Sequence, residues 1–158
     1  MISRPGFTLV EILIIMGILA ILFTISSLNL SNTVPKNDLS NATELLVIDL
    51  KQQQLSALTG NTEGQAINSN YGIYFTTGSY TLFRGSSYNA NDPANFNVHL
   101  GDINTSTTAS GSIIIFEKNS GQILNFQPSG NTITLTHSNI GQTATITINK
   151  YGIIESIL

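Results

Sequence analysis

The 158-residue chain contains no cysteine. That excludes a disulfide framework and a thiolate metal site. Any exported domain must therefore hold together by its core. Charge is scarce too: only 9% of residues are charged, against about 25% in typical soluble proteins. Asn, Ser, Thr and Gly make up the difference, so the surface is polar through hydroxyls and amides. The six basic residues, Arg4, Lys36, Lys51, Arg84, Lys118 and Lys150, are scattered, and the formal net charge is -3. With no basic stripe there is no electrostatic footprint for nucleic acid. The two histidines, His99 and His137, have no Cys, Asp or Glu at ligand spacing. They read as surface or edge residues, not as metal ligands. No nucleophile elbow, phosphate-binding loop or dinucleotide fingerprint appears. Nothing points to a catalytic residue, a cofactor or a metal, and the chain does not read as an enzyme.

What is abundant is apolar sequence at the N-terminus. After a short polar stretch, residues 1–6, which carries Arg4, the run Phe7–Leu30 is almost wholly apolar. About 20 such residues suffice for a helix to cross a bilayer. Arg4 on the N-terminal flank favours leaving that end in the cytoplasm. A cleaved secretory signal or a plain anchor would fit the apolar run, but neither accounts for Glu11. A carboxylate within a membrane span costs at least ~2.5 kcal/mol and ordinarily has a partner or a task.

The hexapeptide Gly6-Phe7-Thr8-Leu9-Val10-Glu11 resembles the cleavage and methylation motif of type IV pilins and pseudopilins. The resemblance implies a leader, residues 1–6, removed by a prepilin peptidase between Gly6 and Phe7. Phe7 then becomes an N-methylated first residue. Glu11 becomes the fifth residue of the mature chain and meets the positive amine of a neighbouring subunit. The implied partners are the peptidase, other pilin-like subunits, an inner-membrane assembly platform and the lipid bilayer. One feature departs from many major pilins: residues 7–30 contain no proline. Gly17 reads as a close-packing position between helices.

Residues 31–38 read as a break or kink, because Pro35 removes a backbone donor and disfavours helix at Val34. Asn37 or Asp38 could cap a restart. From Leu39 to Leu58 the spacing predicts an amphipathic helix. Leu39, Ala42, Leu46, Leu50 and Ala57 form its stripe, widened by Leu45, Val47 and Leu58 and interrupted by Lys51-Gln52-Gln53-Gln54. Gly60 is its expected stop. The period then changes to two. Residues 71–75 and 80–83 predict a hairpin, and further strands are expected at 113–117, 122–126, 132–136, 143–149 and 152–157. Residues 85–111 read as a long loop with a short strand at 97–100. Within it, 88–95 offers oxygen atoms but one carboxylate, and reads as a solvated loop, not a calcium site. The aromatics Tyr71, Tyr74, Phe75, Tyr80 and Phe83 read as core and cross-strand pairs.

The expected fold is α+β. A long hydrophobic pilin-like helix precedes an amphipathic helix packed on an antiparallel sheet or β-sandwich, with residues 39–158 forming the exported domain. The helix, the hairpin and the closing residues 146–155 also resemble the H-type (GspH-like) pseudopilins of type II secretion. That resemblance implies a non-catalytic subunit of a secretion or pilus filament. A minor pilin that binds at a filament tip, for adhesion or DNA uptake, is the alternative.

Overall fold

A computed structural model describes residues 8–60, 68–124 and 126–158, with side-chain surroundings omitted for residues 25–35. Two compact units divide the chain, Met1–Lys36 and Asn37–Leu158. One helix, α1, runs Leu9–Thr59. Of the break or kink expected at residues 31–38, a break is not seen, since these residues are helical throughout. One proline within a long helix costs one hydrogen bond and local geometry, and the flanking turns can carry that. The C-terminal end is as expected: the helix stops at Thr59 and Gly60 takes φ +67, the left-handed geometry that glycine adopts without Cβ strain. Among the described residues no helix is long and apolar enough to cross a membrane. The part of the apolar run with described side chains ends at Thr24.

In the second unit eight strands follow: β1 Tyr71–Thr76, β2 Ser79–Arg84, β3 Phe96–His99, β4 Ile103–Thr107, β5 Ile113–Phe116, β6 Thr132–His137, β7 Thr143–Ile148 and β8 Ile154–Ile157. They form two four-stranded sheets, ordered β3-β2-β1-β5 and β4-β6-β7-β8. Every strand pair is antiparallel. The architecture is α+β, as the sequence predicts. The hairpin closes through Thr76-Thr77-Gly78-Ser79, with Thr76 paired to Ser79 and Gly78 at φ +77.

Two strand expectations change. Within residues 85–111 the expected short strand is present as β3, and a second strand, β4, stands where loop is expected. The alternation is short and dilute: in β4 only Ile103 and Thr105 turn inward, too few to stand out by period. Conversely, the described residues of 122–126 form no strand and make a bridge from Ile123 to Phe116. Their backbone instead bonds in two directions, Ile123 N–H to Lys150 O (2.9 Å) and Leu124 N–H to Ile115 O (2.8 Å).

One core joins both sheets to the helix. Leu39, Ala42, Leu46, Leu50 and Ala57 pack in a single cluster with Ile73 and Phe116 of one sheet and Ile133, Leu135 and Ile146 of the other. These helical residues match the predicted stripe. Leu45 and Leu58, expected to widen it, are exposed instead. The stripe continues through Gln53, which is 8% exposed: positions 46, 50, 53 and 57 follow the 4-3-4 spacing of one helix face. Geometry, not polarity, places Gln53 inward.

Two polar contacts tie the helix to the strands. Tyr80, fully buried on β2, donates its hydroxyl to Asp49 Oδ2 at 2.5 Å. Gln54 Nε2 donates to Gly121 O (3.1 Å) and Tyr151 O (2.7 Å). A single amide therefore holds two loops, and Gly152 leaves it room, since a Cβ there would crowd both Gln54 and Phe116.

Candidate assembly site

Over residues 9–24, α1 carries one ionisable side chain, Glu11, among apolar residues. Thr8 stands just before α1 and accepts the N–H of Glu11 on its Oγ1 at 3.3 Å; Thr8 O accepts the N–H of Ile12 at 3.3 Å. Thr8 is thus the N-cap and Glu11 the third residue of the helix, the S/T-x-x-E spacing of a capping box. That cap was legible in the sequence as Thr8-Leu9-Val10-Glu11 and is missing from a reading that attends only to processing. Glu11 lies in the first turn, where the positive end of the helix dipole favours a carboxylate.

The surroundings of Glu11 are apolar and uncovered. Leu9, Val10, Leu13, Ile14, Met16, Leu19, Leu22 and Phe23 are each more than half exposed. They lie on all sides of the helix, since their spacing covers every direction at about 100° per residue. A helix apolar all round is covered by protein or lipid in its working state. Thr24, further along, returns its hydroxyl to Ala20 O at 2.8 Å and so leaves no stray donor on that surface. A Cβ at Gly17 would meet nothing within 4 Å. Gly6 and Phe7, the expected processing residues, lie outside the described residues.

The second unit offers little chemistry. Among the described residues no group of His, Cys, Asp and Glu could hold a metal ion. His99 is exposed on β3, an edge strand, as expected. His137 is not a surface residue: it closes β6 at 2% exposure, and its Nδ1 accepts the N–H of Asn139 at 3.2 Å. It follows Ile133 and Leu135 on the inward face of an alternating strand, and that alternation was readable in Thr132–His137. Within residues 88–95 two side-chain oxygens are used locally: Asn89 Oδ1 accepts from Asn91 N–H and Asp92 Oδ1 from Ala94 N–H. Tyr71, Phe75, Tyr80 and Phe83 are core residues. Tyr74 and Tyr88 stack with ring centroids 4.2 Å apart, which docks the loop on the hairpin.

No curated protein and no solved structure matches the chain. The family of prokaryotic N-terminal methylation motifs does match, over residues 1–27, the part of the chain that holds Gly6, Phe7 and Glu11. A motif of this kind implies a membrane-anchored precursor, processing by a prepilin peptidase and polymerisation as a pilin. The motif supports a type IV pilin-like prepilin.

Proposed function

We propose that this chain is a non-catalytic pseudopilin or minor pilin of a type II secretion or type IV pilus assembly. The leader, residues 1–6, is cut between Gly6 and Phe7, and Phe7 is N-methylated. Residues 7–30 cross the inner membrane as a helix with its N-terminus in the cytoplasm, and residues 39–158 are exported. The subunit then leaves the bilayer through an assembly platform and joins a filament through that helix.

The observation that carries this reading is Glu11, one carboxylate in the first turn of α1 and the one ionisable side chain of residues 9–24, a stretch otherwise apolar and uncovered. Cleavage after Gly6 places a cationic amine about one turn away. Contact between that amine in one subunit and Glu11 in the next would neutralise both charges in a low-dielectric setting and fix their stagger. The β-rich unit, resembling the H-type pseudopilins in its helix and hairpin, would be displayed outside. A tip subunit that captures DNA is disfavoured by the acidic composition and scattered basic residues.

Replacing Glu11 tests the mechanism. A Glu11→Ala chain expressed beside its native partners should still insert and be cleaved, but should reach sheared filament fractions at a small percentage of the unsubstituted level. A Glu11→Asp chain should recover part of the loss. Filament incorporation of Glu11→Ala at the unsubstituted level would refute the pairing.

A further inference from the structure

Four strands form the edges of the two sheets: β3 and β5 in one, β4 and β8 in the other. The edge of β5 is met by the segment after it, through Leu124 N–H to Ile115 O. The β4 edge adjoins the hairpin, where the Thr105 hydroxyl donates to Thr76 O at 2.6 Å. On β3 Phe96 is exposed beside Asn97 and His99, and Asn97 spends its amide on Thr81 Oγ1 at 3.0 Å. On β8 the exposed apolar residues adjoin a groove and a pair of opposite charges. Ile157 on the strand and Ile153 just before it are 51% and 58% exposed. Glu155 is the one charged residue of Ile154–Ile157, and no lysine or proline interrupts the strand.

The hydrogen-bond pattern tells which β8 groups face outward. Thr145 and Leu158 exchange both backbone bonds, at 2.8 and 3.0 Å. In an antiparallel ladder the next exchanging pair is two residues on, and that pair is Thr147 with Ser156. Ile157, between them, therefore turns its N–H and C=O to the open side. Beside that edge lies a groove of about 520 Å³ between β8 and α1, lined by Val47, Lys51, Ile153, Ile154 and Ile157 among others. Lys51 is an exposed cation on its wall and Glu155 an exposed acid on its strand. Among the described residues neither forms an ion pair.

An open strand edge, exposed isoleucines, one cation and one acid make this surface complementary to itself. We propose that β8 and its groove are an interface for a second copy of the chain. The second copy's β8 adds antiparallel about a two-fold axis near Ser156. Each Ile157 offers its free backbone groups to the other strand, the isoleucines fill the facing groove, and Glu155 of each copy meets Lys51 of the other. Two-fold symmetry makes every contact twice. A strand partner of different sequence would need its own acid for Lys51; a second copy already carries one. The inference does not rest on the filament reading, because it concerns the second unit alone.

The test uses residues 37–158, the second compact unit, of whose described buried apolar residues, Leu39 to Ile148, all but Phe83 form one cluster. Sedimentation and light scattering, from about 10 μM to about 1 mM, should show a concentration-dependent dimer. Ile157→Lys, at an exposed position, should be monomeric throughout that range with an unchanged circular dichroism melt. Lys51→Glu should weaken the dimer by about tenfold or more, and adding Glu155→Lys to it should restore most of the loss. A monomer at about 1 mM would overturn the proposal and assign the groove to another partner. So would Ile157→Lys dimerising as tightly as the unsubstituted unit, or a charge-swapped double variant no tighter than Lys51→Glu.

Discussion

Tyr80 brings a hydroxyl into the core and has Asp49 to receive it. The ring is fully buried and the bond is 2.5 Å. Burial raises the tyrosine's pKa well above its ordinary value, and the Asp49 hydrogen bond and negative charge push the same way. Folding therefore holds Tyr80 neutral where an unfolded chain would ionise. The sign follows: this stabilisation is complete below the unfolded tyrosine pKa of about 10 and is lost as pH rises beyond it. Tyr80→Phe should cost about 1–3 kcal/mol at neutral pH and should flatten the fall in stability above pH about 10. Urea titrations of both proteins at several pH values measure the two effects together. Gln54 gives a complementary case. Its amide donates to Gly121 O and Tyr151 O, so Gln54→Glu turns a donor into an acceptor facing two carbonyls. The loss should exceed that of Gln54→Ala at neutral pH and shrink at low pH, where a protonated carboxyl can donate again. Thermal melts at about pH 4 and pH 7 distinguish the two.

At the scale of elements, the helix shows how far periodicity carries. The stripe Leu39, Ala42, Leu46, Leu50, Ala57 was legible because large apolar residues repeat at helical spacing, and all five are buried. Gln53 was not legible, because its chemistry contradicts its position. Leu45 and Leu58 misled for the opposite reason, being apolar residues on an exposed face. Removing a stripe residue tests the packing: Leu46→Ala, at a fully buried site, should cost about 2–5 kcal/mol, whereas Leu45→Ala, 42% exposed, should cost well under half as much in the same denaturant titration. Strands divided in the same way. β1, β2, β6 and β7 are six residues each, long enough to show their period. β3 is four residues yet still legible as a short strand, whereas β4 is five residues and its Asn, Thr and Ser obscure it. The residues 122–126 look like a strand by composition, yet their hydrogen bonds go to two different segments, a tertiary choice that local sequence does not encode.

For the whole molecule, the division at Lys36/Asn37 separates two kinds of physics. The second unit satisfies its own needs: a shared core, paired strands and a capped helix end. Residues 37–158 should therefore unfold cooperatively as an isolated fragment, with a single transition by circular dichroism and by fluorescence of its buried tyrosines. The first unit satisfies none of its own, since its apolar surface is uncovered along the described helix. The candidate site was read almost wholly from the sequence, because a motif of six adjacent residues needs no tertiary contact to be recognised. The Thr8 cap and the β8 groove were not read, the one for want of attention to backbone donors, the other because an edge exists only once sheets are assembled.

The central claim is that Gly6 and Phe7 form a processing site on a polymerising subunit. Mass spectrometry of the chain recovered from membranes of cells that also express a prepilin peptidase tests it directly. The account predicts an N-terminal peptide beginning at N-methylated Phe7, and the unprocessed precursor when the peptidase is inactivated. An intact Met1 terminus on membrane-associated or assembled material, in the presence of active peptidase, would contradict it.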